Sequence, residues 1–301
     1  MKLAHYLDNG IIRVGVVDNG FVFNLQEAMQ QLQLLSPNLT RSIDEILANE
    51  LLSRLQQAES RIIKTVSGSP LSSVRLRSPI LNPEKILLLA VNYLSHSKEK
   101  KAEPPREPYL FTKFRNTLIG PEEAILLPKV SKRVDWEVEL AVVIGKTGKY
   151  VSRKDALSSV AGYAVANDIS FRDLQYSTRL SDGKTLLGLN WVKGKGLDSS
   201  YALGPWLVTS DEIPDPDQLG ISLSVNGNVR QKSKTSEMLF KIDSIIEYAS
   251  AGMTLRAGDV ISTGTPEGVA AYSGEAYLKD GDIVEATIDR IGTLRNHVTA
   301  E

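Results

Sequence analysis

Glu137 and Glu139 stand two residues apart in the run Asp135-Trp-Glu-Val-Glu-Leu-Ala-Val-Val-Ile-Gly145. The run reads as an apolar strand, and the two-residue alternation of a strand turns both carboxylates to one face. Like charges side by side repel, and beside a buried segment the pair is costly unless a cation accompanies it. Asp168 closes a second apolar run, Tyr163 to Asn167, and supplies a third carboxylate. Three carboxylates suit a hard ion such as Mg²⁺, which takes oxygen ligands and keeps positions open for water and substrate. A lone Glu-x-Glu equally suits the outward positions of a solvent-exposed edge strand, so the pair alone leaves both readings open.

A second group able to do chemistry follows Lys85 to Val91, a buried-strand pattern that runs into Asn92-Tyr-Leu-Ser-His-Ser-Lys-Glu99. There the pattern turns polar and helical. His96 and Glu99, at i and i+3, share a helical face, where the carboxylate can orient the imidazole and stabilise its protonated form. That is the make-up of a general base, although an exposed polar turn accommodates the same residues. His5 and His297 have no such company.

The elements that must hold these groups fit an α+β, mainly β chain. Short strands at Ile12 to Val17 and Phe21 to Phe23 are punctuated by Asp8-Asn9-Gly10 and Asp18-Asn19-Gly20, which read as hairpin turns. From Leu25 to Ile63 the apolar spacing nears 3.6 and predicts two helices, broken around Ser36-Pro37-Asn38. Ser67-Gly68-Ser69-Pro70, Pro79 and Pro83 suggest a small N-terminal α/β domain over residues 1–80, with a catalytic domain over 81–301. Beyond residue 84 the Val- and Ile-rich runs Glu137 to Ile144, Val160 to Ala166, Ile221 to Val225 and Ile283 to Ile288 look like strands. Helical pattern there is confined to stretches such as Ser152 to Ser158 and Phe240 to Ala251, so regular βαβ alternation is not expected.

Composition narrows the function classes. The chain has 301 residues, enough for a large core, with 42% hydrophobic and 24% charged residues. The 35 basic and 36 acidic residues nearly cancel, without a basic run to mark a nucleic-acid footprint. There are no cysteines, which excludes disulfides, thiolate ligands and a cysteine nucleophile. Asp8 interrupts the start before a signal-peptide core can develop, and the strongest apolar run, Ile86 to Val91, is far short of the ~20 residues that span a membrane. The expected location is the cytoplasm, with no membrane and no nucleic-acid partner.

Several separated motifs resemble the fumarylacetoacetate hydrolase superfamily, over residues 84 to 297. They are Asn92-Tyr93-x-x-His96-x-x-Glu99, Phe111-Thr112-Lys113 with Asn116 and Ile119-Gly120-Pro121, Asp135-Trp136-Glu137-x-Glu139-Leu140-Ala141 and Gly162-Tyr163 with Asn167-Asp168-Ile169-Ser170-x-Arg172-Asp173-x-Gln175. Trp191-x-x-x-Lys195-x-x-Asp198, Leu203-Gly204-Pro205-Trp206 and Gly258-Asp259-Val260-Ile261-x-Thr263-Gly264-Thr265-Pro266-x-Gly268-Val269 complete the order.

The resemblance implies a β-rich catalytic domain of mixed sandwich or roll type, usually a homodimer, with a Mg²⁺ or Mn²⁺ site formed by Glu137, Glu139 and Asp168. It implies hydrolysis of a C–C bond in an acylpyruvate-type 2-oxo acid. The alternative on the same site is decarboxylation or isomerisation of a diacid, of the oxaloacetate decarboxylase or 2-hydroxyhepta-2,4-diene-1,7-dioate isomerase type, and a silent binding protein is a third. By the same resemblance His96 with Glu99 activates water, Lys195 and Gln175 stabilise negative charge, and Thr265, Tyr93, Arg172 and Lys113 bind substrate. Lys195 is preferred over Lys193 by its spacing from Trp191. The family's Lys-Ser-Phe-Asp reads Lys195-Gly196-Leu197-Asp198 here, which puts the size of the substrate in question. The stretch from Gln175 to Trp191 suits either a lid or a surface loop, and Lys184 within it would, with Arg172, favour a dicarboxylic substrate.

Overall fold

The computed structural model describes residues 1–99, 103–176, 189–274 and 276–301. The thirteen strands that matter for the site are β1 (Lys2–Asp8), β2 (Ile11–Asp18), β3 (Phe21–Asn24), β4 (Ile86–Leu89), β5 (Leu110–Lys113), β6 (Val138–Ile144) and β7 (Val160–Asp168), then β8 (Tyr201–Thr209), β9 (Gly220–Val225), β10 (Asn228–Lys234), β11 (Val260–Ser262), β12 (Ile283–Ile288) and β13 (Gly292–Ala300). A twelve-stranded mixed sheet runs in the order β3-β2-β1-β8-β7-β6-β11-β4-β5 along its main path. A second sheet of five strands runs β10-β9-β12-β13 and ends on Ile125–Leu127. The chain is α+β and mainly β, as its pattern predicts.

Local sequence explains the hairpins. Asn9 and Gly10, then Asn19 and Gly20, all take positive φ, the conformation a two-residue turn between twisted strands requires. Between β3 and β4 lie α1 (Leu25–Leu32), α2 (Ile43–Ala48) and α3 (Leu52–Thr65). Asn24 and Ser42 cap the first two by accepting from the N–H groups of Glu27 and Glu45. The two helices expected over Leu25 to Ile63 are therefore three. The additional break falls at Asn49-Glu50, where Glu50 takes φ 54° and turns the chain, so that Leu51 and Leu55 are buried with Ile46 and Leu47.

Two cores lie on the faces of the large sheet. Leu140, Val142, Val165 and Tyr163 pack with Leu223, Val284 and Ala286 of the second sheet, joined by Ile245 and Ile246 of the helix Ile242–Ser250. On the opposite face Ala141, Val143, Ala164 and Ala166 meet Met29, Ile46, Leu55 and Ile62 of the N-terminal helices. β1 pairs with β8, Leu3 opposite Leu207, so strands from residues 1–80 and from residues 81–301 share one sheet. Among the described residues no helix is long and apolar enough to cross a membrane.

Candidate active site

β6 and β7 are antiparallel, and the register that sets Val138 opposite Asn167 brings Glu137 beside Asp168, whose N–H donates to the Glu137 carbonyl at 2.9 Å. Glu137 and Glu139, two residues apart, face the same way. One oxygen from each of Glu137, Glu139 and Asp168 lies within 4.8 Å of the other two, and all three residues are buried. β6 is flanked by β7 and β11, which excludes the exposed edge strand.

Cations surround this cluster unevenly. Lys195 Nζ donates to Glu137 Oε2 at 2.8 Å and to Asp168 Oδ2 at 2.6 Å. Arg172 bridges Glu137 Oε1 at 2.5 Å and Asp135 Oδ2 at 2.8 Å, and reaches Gln175 Oε1 at 3.2 Å. Lys113 Nζ lies 2.9 Å from Asp168 Oδ1 but spends its directed hydrogen bonds on the Ile169 carbonyl and on Ser200. Burial alone would raise the Glu137 carboxyl, yet Lys195 and Arg172 outweigh it and hold the group well below the usual carboxylate range. Glu139 is pushed the other way, by burial first and then by Asp168 and Glu137. Burial lowers the Lys113 ammonium to about 8 against the pull of Asp168. The protein's own cations thus neutralise Glu137 and Asp168, while Glu139 has the Gly264 N–H at 3.1 Å.

The donor set fits a hard divalent ion. All three donors are carboxylate oxygens, Asp168 Oδ1 has only its ion pair with Lys113, and Asn167 Nδ2, Thr263 Oγ1 and Tyr93 Oη, the first two next in sequence to Asp168 and Gly264, are buried without a hydrogen-bond partner. Buried polar atoms normally have partners, and their concentration in residues at or beside the triad marks a place built for something polar.

His96 sits on a short helix, Leu94–Glu99, which begins a few residues after β4 ends at Leu89. Its Nδ1 lies 3.3 Å from Glu99 Oε2, Glu99 Oε1 accepts from Gly268 N at 3.1 Å, and Tyr272 meets the imidazole edge-on at 5.9 Å. No hydrogen bond to Nε2 occurs among the described residues. His96, Glu137, Arg172, Gln175, Lys195 and Thr265 line one narrow cleft, closed on another side by the stacked rings of Phe111 and Trp191. Thr265 reaches it from the Gly264-Thr265-Pro266 turn. Gly264 takes φ +89°, and a Cβ there would meet Asn92 Cβ at 2.9 Å, so only glycine lets the turn approach Glu139.

Of the residues expected to act, the structure brings His96, Glu99, Glu137, Glu139, Asp168, Arg172, Gln175, Lys195 and Thr265 together. Lys195 is buried and Lys193 exposed. Tyr93 and Lys113, expected to bind substrate, line no part of the cleft; Tyr93 is fully buried and Lys113 braces Asp168 from behind. The lid expectation and Lys184 fall on 177–188, outside the described residues. Sequence reasoning assigned nothing to Asp135, which accepts from Arg172, Ala270 N and Ala271 N, nor to Gln231. Asp135 carried a signal, its place at the head of the acidic strand motif; Gln231 carried none.

Against known proteins, a family model described as fumarylacetoacetate (FAA) hydrolase C-terminal matches residues 85–299. The chain is 42% identical over 247 residues to a mitochondrial oxaloacetate tautomerase of Xenopus laevis, covering 82% of this chain and 75% of that one. It is similar, at a TM-score of 0.74 and 31% identity, to the structure of 2-hydroxyhepta-2,4-diene-1,7-dioate isomerase from Mycobacterium marinum, covering 100% of this chain and 99% of the other. With maleylpyruvate hydrolase from Sphingobium sp. SYK-6, in complex with manganese(II) ion and pyruvate, the TM-score is 0.80 at 31% identity, with coverage of 100% and 99%.

Proposed function

Because this chain belongs to the fumarylacetoacetate hydrolase family, we propose that it is a divalent-metal-dependent enzyme of small 2-oxo acids, with keto–enol interconversion of an oxaloacetate-like diacid as its leading reaction. The observation that carries this reading is His96, held by Glu99 and facing the cleft that Glu137, Lys195 and Thr265 also line. Glu137, Glu139 and Asp168 would hold Mg²⁺ or Mn²⁺, which when bound supplies a Lewis acid for an enolate.

The chain's own groups then divide the proton work. His96 Nε2 takes or returns the proton on the carbon beside the 2-oxo group, and Glu99 stabilises the imidazolium that results. Lys195 uses two of its three N–H donors on Glu137 and Asp168 and keeps the third for a developing oxyanion. Arg172 orients both Glu137 and Gln175. The likeness to an oxaloacetate tautomerase supports the diacid. A second reading, hydrolysis of an acylpyruvate-type substrate, needs His96 to take its proton from water, and the likeness to a maleylpyruvate hydrolase favours it. A cytoplasmic setting is part of the proposal, although the Xenopus relative is named as mitochondrial, and cell fractionation decides the point.

The test is a pair of assays with Mg²⁺ or Mn²⁺. Enol oxaloacetate should convert faster with protein than without, and a panel of acylpyruvates should be cleaved slowly or not at all. Cleavage of an acylpyruvate with no effect on oxaloacetate would overturn the leading reading in favour of the second.

A further inference from the structure

Gln231 belongs to β10 in the second sheet, yet its buried amide reaches the strand of the carboxylate pair. Its Oε1 accepts from Val138 N, the residue between Glu137 and Glu139, at 2.9 Å. Its Nε2 donates to Thr265 Oγ1 at 2.8 Å and to the Pro266 carbonyl at 2.9 Å. These partners fix the orientation of the amide, since an N–H must meet the oxygen and a carbonyl must meet the nitrogen. Thr265 Oγ1 is therefore an acceptor from Gln231. Its own hydrogen has no acceptor among the described residues, and it lines the cleft with His96 and Lys195.

The turn is also seated on β10 by shape. Gly268 takes φ +98°, and a Cβ there would come within 2.1 Å of the Arg230 carbonyl oxygen. Trp136 Nε1 donates to the Gly268 carbonyl at 3.1 Å, tying the same loop to the residue before Glu137.

We propose that Gln231 is a positioning residue that fixes the Thr265 hydroxyl as a hydrogen-bond donor into the cleft, so that this spot selects an acceptor oxygen, the carboxylate or enolate of a 2-oxo acid. The inference rests on the functional reading above for the class of ligand. Gln231→Met removes the amide. Gln231→Glu keeps an acceptor for Val138 N but has at most one hydrogen for two oxygens, Thr265 Oγ1 and the Pro266 carbonyl, which the amide serves with two.

The test measures KM and kcat for oxaloacetate, oxalate binding and melting temperature with Mn²⁺ present. Gln231→Met, Gln231→Glu and Thr265→Val should each raise KM roughly three- to tenfold, the loss of one neutral hydrogen bond, with smaller changes in kcat. Thr265→Ser, which keeps the hydroxyl, should stay near wild type. Either Gln231 change placed on Thr265→Val should add less than about twofold, because residues acting through one contact are not additive. Costs that multiply in the double variants, or a wild-type KM in Gln231→Glu, overturn the proposal while leaving the functional reading intact. A wild-type protein that neither converts oxaloacetate nor binds oxalate overturns both.

Discussion

Replacing His96 by alanine separates proton transfer from everything else the site does. The imidazole contacts Glu99 at 3.3 Å and the Tyr272 ring at 5.9 Å, and it belongs to none of the three converging carboxylates. Glu99 keeps its bond from Gly268 N, so the loop that carries Thr265 stays anchored. Loss of a general base typically costs about 10² to 10⁴ in rate, equivalent to about 3 to 5 kcal/mol of transition-state stabilisation. Tautomerisation of oxaloacetate should fall by that factor, while Mn²⁺ affinity, read by paramagnetic resonance, should change by less than about twofold. Decarboxylation of oxaloacetate needs an electron sink and a positioned carboxylate but no base, so in the same variant it should suffer far less. Both activities are measured on one preparation at saturating metal. Unimpaired tautomerisation, or an equal fall in both activities, would refute the assignment of His96 as the proton-transfer group.

Arg172→Met leaves Asp135 and Glu137 without their shared buried cation, and removing one partner of such a pair costs about 3 to 5 kcal/mol, read as a lower midpoint in urea denaturation. A midpoint within error of wild type would show that the network contributes nothing to folding. His5 is buried; Ile43 N donates to its Nε2 at 3.0 Å, so Nδ1 must carry the hydrogen that bonds the Ser78 carbonyl at 2.9 Å. Burial lowers its pKa, so below about pH 6.5 the unfolded chain binds a proton that the folded chain refuses. Stability should therefore fall by up to about 1.4 kcal/mol per pH unit from there down to the lowered folded pKa, and be fully present above pH 6.5. Denaturation of wild type and His5→Gln across this range checks the slope, which should flatten in the variant. We propose that the chain is a homodimer, as the family resemblance implies; it should scatter light at twice the 33.0 kDa chain mass, and a monomer mass at micromolar concentration would count against it.

The acidic cluster was legible because period-two alternation is local. Glu137 and Glu139 declare a shared face within three residues, and the His-x-x-Glu spacing of His96 and Glu99 does the same for a helix. What opposes those groups was not legible. Lys195 and Arg172, which relieve Glu137 and Asp168 beside any bound cation, cannot be read from local spacing, because their placement depends on how distant segments pack. Gln231 is the extreme case: it acts across 93 residues onto Val138 and 34 onto Thr265, from a strand, Asn228 to Lys234, whose residues are polar apart from Val229. The pairing of β1 with β8 is equally long-range, and no turn signal near residue 80 reports it. The break at Asn49-Glu50 escaped notice because neither residue is a strong helix breaker; Leu51 turning into the core decides it.

The metal site proposed at Glu137, Glu139 and Asp168 is open to direct observation. Crystals grown with Mn²⁺ and measured for anomalous scattering test it directly. One strong peak is expected at about 2.0 to 2.3 Å from an oxygen of each of the three carboxylates, absent in Glu139→Gln and after chelation. A fully active protein with no peak there, the three carboxylates held by Lys195 and Arg172 alone, would contradict it.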